Sequence, residues 1–157
     1  YRTCGNVSRE ITHQRKEKVM SATKELSELI TQSVIDSRDI IERLNELEAF
    51  DSDDHEPPTI TNEEKEELSV LKAFAEEVEG YCVDFIHGES LIAEDYFVQY
   101  TKELVADCYE LPKDMESGVW PYNNLKMDWE GAAEDLKVDY TETELTWDGV
   151  TITFLYR

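Results

Sequence analysis

The sequence is short of the residues on which most recognisable chemistry is built. It holds three cysteines, three histidines and six glycines in 157 residues. Cys4, Cys82 and Cys108 are an odd number with no Cys-x-x-Cys pair, which argues against a disulfide framework or a thiolate zinc site and fits a reducing compartment. So few glycines leave no Walker loop, no dinucleotide fingerprint and no Gly-x-Ser-x-Gly elbow. No apolar run is long enough to span a bilayer and no charged-apolar-small signal opens the chain, so a cytoplasmic location is expected. Cations are scarce as well: 15 Lys and Arg stand against 37 Asp and Glu, for a net charge of −22. That deficit disfavours direct contact with nucleic acid or anionic membranes. It steers the molecule towards basic partners such as the DNA-binding grooves of other proteins. Plain solubility, or a salt-adapted host, would produce the same composition.

What is present belongs to a folded protein. Eight Tyr, five Phe and three Trp are more than an acidic solvating tail carries. A chain of this length, 40% hydrophobic, can bury one core, or one compact domain with a helical appendage. No internal repeat is visible. Residues 1 to 19 differ from the rest, with Arg2, Arg9, Arg15, Lys16 and Lys18 against Glu10 and Glu17. Lys16-Glu17 can be encoded by a bacterial ribosome-binding core just ahead of Met20. Residues 1–19 therefore read as a translated leader, with a truncated clone or an authentic basic arm as the alternatives.

Leu26, Ile30 and Val34 recur at helical spacing, and Ile41, Leu44 and Leu47 continue the stripe beyond Asp36-Ser37-Arg38-Asp39. This predicts a helix from Ser21 to Phe50, kinked or broken at that polar interruption, where Asp36 or Ser37 can cap a second segment. Asp51 to Pro58 has no period and ends in two prolines, so it is a loop. Thr61 and Glu64 form a capping box, and Leu68, Leu71, Phe74 and Val78 line one face of the following helix until Gly80. Residues 20–80 thus read as an acidic helical hairpin. Residues 81–92 show no clear period and read as irregular or short extended chain. Phe97, Tyr100, Leu104 and Cys108 have helical spacing, and Asp128 can cap a short helix carrying Ala132, Ala133 and Leu136. After Tyr140 the pattern alternates on both sides of Asp148-Gly149, a type I′ hairpin signal. The fold class is α+β: an N-terminal acidic helical hairpin, then a small helical domain over 81–157 closed by a C-terminal β-hairpin.

No catalytic or metal constellation emerges. The histidines are His13, His55 and His87, and Cys82 with His87 is a weak dyad that reads better as a core cysteine and a surface histidine. An EF-hand loop beginning at Asp51 fails, because Glu56 holds the glycine position and Asn62 that of the bidentate Glu. No cofactor and no enzyme activity are expected. The density of acids is more telling. Glu42, Glu46, Glu48, Asp51, Asp53, Asp54, Glu56, Glu63, Glu64, Glu66 and Glu67 are opposed only by Arg43 and Lys65. B-DNA carries one charge per about 3.4 Å of each strand. A helix rises about 1.5 Å per residue, so acids every second or third residue approach phosphate spacing. An ordinary solvated helical face has the same pattern.

Glu103-Leu104-Val105-Ala106-Asp107, then Asp128-Trp129-Glu130 with Leu136, then Asp139-Tyr140 before the terminal strands, resembles the closing part of ArdA-type antirestriction proteins. The order Trp120-Pro121, Asp128-Trp129-Glu130, Asp139-Tyr140-Thr141 and Asp148-Gly149-Val150 is also similar to the ending of small acidic phage proteins. The resemblance covers residues 93 to 157. It implies a homodimeric DNA mimic that occupies the DNA groove of a host type I restriction-modification enzyme, without binding nucleic acid or membrane. The chain departs from that family in lacking its preceding domains. Within the matched part, Leu104, Cys108, Trp129, Ala133, Leu136 and Tyr140 are expected in the core. Glu103, Asp107, Asp128, Glu130, Glu134, Asp135 and Asp139 are expected on the partner-binding acidic surface, together with the acids from Glu42 to Glu67. The alternative is a non-catalytic adaptor or assembly protein, acidic only for solubility, whose helices offer Leu44, Leu47 and Leu71 to a partner helix.

Overall fold

The computed structural model of the chain describes residues 23–51 and 60–157. The basic segment 1–19 and most of the acidic loop, including Asp53, Asp54 and His55, lie outside them.

In chain order the elements are α1 (Leu26–Leu29), β1 (Val34–Asp36), α2 (Ser37–Asp51), α3 (Asn62–Glu79), α4 (Phe85–Gly88), β2 (Ser90–Ala93), a 3-10 turn (Glu94–Tyr96), α5 (Phe97–Cys108), α6 (Lys113–Glu116), a second 3-10 turn (Tyr122–Asn124), α7 (Trp129–Lys137), β3 (Thr141–Trp147) and β4 (Val150–Tyr156). The class is mixed α+β, as expected, with an open four-stranded sheet in the order β1-β2-β4-β3. Every neighbouring pair of strands is antiparallel.

The N-terminal half departs from the expected long helix. After one turn, Thr31 N–H reaches back to Glu28 O (3.2 Å) and Gln32 N–H to Leu29 O (3.0 Å), a three-residue closure that ends the helix. The β-branched pair Val34-Ile35 then lies in the sheet, opposite Ile92 and Leu91. The polar interruption is therefore the exit of a strand, not a kink. Asp36 does cap the second helix, its Oδ1 accepting from Arg38 N–H (2.9 Å). The Ser37 hydroxyl points elsewhere, donating to Phe85 O (2.6 Å) and accepting from Glu89 N–H (2.7 Å). That pins the start of α2 to α4 and β2.

Elsewhere the local signals hold. The Thr61–Glu64 capping box is complete, with Glu64 N–H donating to Thr61 Oγ1 (3.2 Å) and Thr61 N–H to Glu64 Oε2 (2.7 Å). Asp128 caps α7 by accepting from Gly131 N–H (3.0 Å). A Cβ at Gly131 would sit 2.6 Å from Asp128 Oδ2, so a side chain there would displace the cap. At the hairpin tip, Asp148 (φ 49°) and Gly149 (φ 76°) take the paired positive angles of a type I′ turn. The stretch 81–92, expected to be irregular or extended, holds both α4 and β2.

The sheet lies between two helical layers. Ile35, Leu91, Ala93, Leu145, Phe154 and Tyr156 face one side and pack with Leu26, Leu47, Leu71, Phe74 and Val78 from the first helices. Their neighbours Ile92 and Leu155 face the other side and pack with Phe97 and Ala133. This alternation is the two-residue period of a strand with both faces covered. Each fully buried large side chain contributes about 1.5–3 kcal/mol by leaving water. The first cluster draws on residues from both sides of position 80. No described helix is long and apolar enough to cross a membrane.

Candidate functional site

The acids divide into those that hold the fold and those that face solvent. Glu67 departs from the expected surface stripe, for it is 5% exposed and its carboxylate is turned inward. Arg43, itself buried, grips it through two parallel bonds, Nε to Oε1 and Nη2 to Oε2, both 2.9 Å. Leu26 N–H donates a third bond to Glu67 Oε1 (2.9 Å). The remaining guanidinium nitrogen, Nη1, donates to Glu46 (2.9 Å), which also accepts from the Thr23 hydroxyl. One cation thus joins α1, α2 and α3 through two carboxylates. The hydrogen bond to Glu67 outweighs the effect of burial, and the Arg43 guanidinium is held charged far above any physiological pH. Sequence reading placed Glu46 and Glu67 on the binding surface because every acid in the stripe looked alike. A signal was available. Arg43 sits between Ile40 and Leu47 at three- and four-residue spacing, and Glu67 lies four residues before Leu71, so both fall on the buried faces of their helices.

Glu64 belongs to the capping box, and Glu48 pairs with Lys72 (3.0 Å) across α2 and α3. Glu42, Asp51, Glu63 and Glu66 are exposed and form no ion pair with a described residue. They make up what remains of the expected acidic stripe on these helices.

The second acidic region is built by α5 and α7. Phe97 and Tyr100 of α5 pack against Tyr140 in the turn that follows α7: the Phe97 and Tyr140 rings meet edge-on at 5.1 Å, and the two tyrosine hydroxyls lie 3.1 Å apart. Burial first, and then the Tyr100 hydroxyl, push the Tyr140 phenol well above its ordinary pKa. Glu103 is exposed and accepts from the Tyr96 hydroxyl (2.7 Å) and the Gln99 amide (3.1 Å), which keep its carboxyl below the usual range and therefore charged. Glu134 and Glu94 both pair with Lys137 (3.2 and 3.1 Å). Asp107, Glu130, Asp135 and Asp139 are exposed, without an ion pair to a described residue, and Asp128 is exposed as the cap of α7. Of the side chains expected in this core, Ala133 is fully buried and Leu136 and Tyr140 pack beside it. Leu104 and Trp129 are half-buried. Cys108 is a correction: it is exposed, at the last position of α5, where Tyr109 leaves the helix in extended conformation.

Cys82 is buried, its thiol donating to Arg157 O (3.8 Å), while His87 is exposed on α4. Among the described residues, no three His, Cys, Asp or Glu side chains are placed to hold a metal ion. An open depression of about 300 Å³ lies between 30–33, 93–95 and 151–153, lined mainly by polar side chains. Leu47 and Leu71, which the adaptor reading offers to a partner helix, are buried in the protein's own core, and Leu44 is half-buried. In comparisons with protein families, curated proteins and solved structures, nothing matches the chain.

Proposed function

We propose that the protein is a non-catalytic DNA mimic, an antirestriction factor encoded by a phage or mobile element that occupies the DNA-binding groove of a host type I restriction-modification enzyme. The observation that carries this reading is the division of the acids. Glu46 and Glu67 are used internally with Arg43, whereas Glu42, Asp51, Glu63, Glu66, Asp107, Glu130, Asp135 and Asp139 stand in solvent with no ion pair to a described residue. Surface charge of one sign, left unneutralised on rigid helices, destabilises a lone protein by self-repulsion. It becomes favourable against a cationic groove. Inhibition is then competitive occupancy, with no bond made or broken. The association weakens steeply with salt, because the partner's groove exchanges counterions as it does on DNA.

The test is plating of an unmodified phage on cells carrying a type I restriction system, with and without expression of the chain. Restored plating is expected. A chain in which Glu42, Glu63, Glu66, Glu130, Asp135 and Asp139 are changed to Lys should lose the effect while keeping its circular dichroism. Glu67 is left intact because reversing it would break the core. Undiminished restriction with soluble wild-type protein, or full activity of the reversed chain, would refute the proposal.

A further inference from the structure

Helices α5 and α7 lie against each other, Phe97 packing with Ala133, and the rings of Phe97 and Tyr100 meet Tyr140 just past the end of α7. Packed neighbours of this kind are ordinarily joined by about two to eight residues. Here the whole segment 109–128 intervenes, holding α6 and the second 3-10 turn. The segment is ordered by its own hydrogen bonds: Met115 N–H to Pro112 O, Asn123 N–H to Val119 O and Leu125 N–H to Tyr122 O, each 2.9 Å. None of its described side chains belongs to either core cluster. Instead it holds apolar groups out in water. Trp120 is 78% exposed, Tyr109 67%, Val119 60% and Leu125 54%, with Tyr122 and Met127 also exposed. A long, locally braced excursion that spends its aromatics on solvent is the form of a binding loop, not of a connection.

The charges around it select the occupant. Asp107, Glu110, Asp114, Glu116, Asp128 and Glu130 lie in or beside the excursion in the sequence, against Lys113 and Lys126. A second copy of the chain would bring its own net charge of −22 to the contact, and an anionic lipid surface would be repelled as well. We infer that residues 109–128 are an apolar anchor for a basic protein partner, with Trp120 and its neighbours entering a hydrophobic pocket rimmed by Lys or Arg. Trp and Tyr are the side chains that most often dominate such contacts. The anchor goes beyond the DNA-mimic reading. A mimic made of carboxylates alone loses its hold as salt rises, whereas buried aromatic area does not, and the inference stands whichever basic protein is the target.

The test pans a random peptide library displayed on phage against the full chain, with the Trp120→Ala/Leu125→Ala chain as counter-target. A second pair, Val119→Ser/Met127→Ser, serves as an independent check. All four positions are exposed, so unchanged circular dichroism and melting are expected in both variants. The expected result is enrichment of peptides that combine aromatic or aliphatic residues with Arg or Lys. Their affinity should fall at least about tenfold on both variants and persist at high salt. Any of these peptide or dimer results would overturn the inference: no enrichment; purely basic peptides bound equally by wild type and variants; apolar peptides without cations; or a dimer of the wild-type chain that the variants abolish. Co-sedimentation with phosphatidylcholine vesicles, lost in the variants, would overturn it in favour of a lipid surface.

Discussion

Replacing Arg43 by Met removes one charge and keeps a long apolar stem in the same place. Glu67 and Glu46 then face each other with no cation between them, Glu67 at 5% exposure. Three of the bonds Arg43 donates vanish together, two to Glu67 and one to Glu46, and only Leu26 N–H and the Thr23 hydroxyl remain to satisfy the two carboxylates. Leaving one side of a buried ion pair uncompensated costs about 3–5 kcal/mol. At roughly 2–4 °C per kcal/mol for a chain of this size, the melting point should fall by at least about 6 °C. The raised guanidinium pKa fixes the pH behaviour. A group whose folded pKa lies above its unfolded value contributes its stability in full below the unfolded one, here the ordinary arginine range, and loses it only at still higher pH. Arg43 therefore adds no pH dependence of its own through the neutral range. Urea unfolding followed by circular dichroism measures the loss. Arg43→Met/Glu67→Gln provides the control, since the Gln carbonyl can still accept from Leu26 N–H while the buried charge is gone, and it should recover part of the deficit. A loss under about 1 kcal/mol, as for a surface pair, or a double variant no more stable than the single one, would refute the reasoning.

Gly149→Ala should destabilise the hairpin by about 1–2 kcal/mol, because φ of 76° places a Cβ against the following carbonyl, and the lost urea midpoint reports it. An unchanged midpoint would mean that the turn relaxes to another type at no cost. Tyr140 favours its neutral phenol in the folded state, so its contribution is intact below the ordinary value near pH 10 and is lost as pH rises through the raised folded value. Tyr140→Phe should accordingly flatten the decline in urea midpoint above pH ~10, and equal slopes for the two proteins would contradict the assignment.

What could be read from the sequence was whatever is decided within a few residues. The Asp148-Gly149 turn, the Thr61–Glu64 box and the Asp128 cap each depend on a local side chain or backbone angle, and each is found as expected. The strand β1 was not legible, and β2 only as the extended alternative for 81–92. Val34 continues the helical spacing of Leu26 and Ile30, and only pairing with Ile92, almost sixty positions away, makes extended chain the better choice. In Ser90–Ala93 the residues Leu91, Ile92 and Ala93 are all buried, because helices cover both faces of the sheet, so the alternation that marks a strand is absent. The acidic surface was legible as a composition but not as a set of roles. Only the helical spacing of Glu67 to Leu71 separates Glu67, which holds three elements together, from Glu66 beside it in solvent, and that spacing does not name Arg43 as its partner.

The strand order carries a consequence for how the molecule comes into being. β4 lies between β2 and β3, so residues 150–156 are the piece that joins the two halves of the sheet. Until they have left the ribosome, β1 and β2 can pair only with each other and β3 has no neighbour. Without that strand, Leu91 and Leu145 lack Phe154 and Tyr156 from their side of the sheet, and Ile92 lacks Leu155 from the other. Among the described strands, the sheet becomes continuous only when a local hairpin brings its second strand against β2. A net charge of −22 sets like chains to repel one another, whether or not that strand is in place.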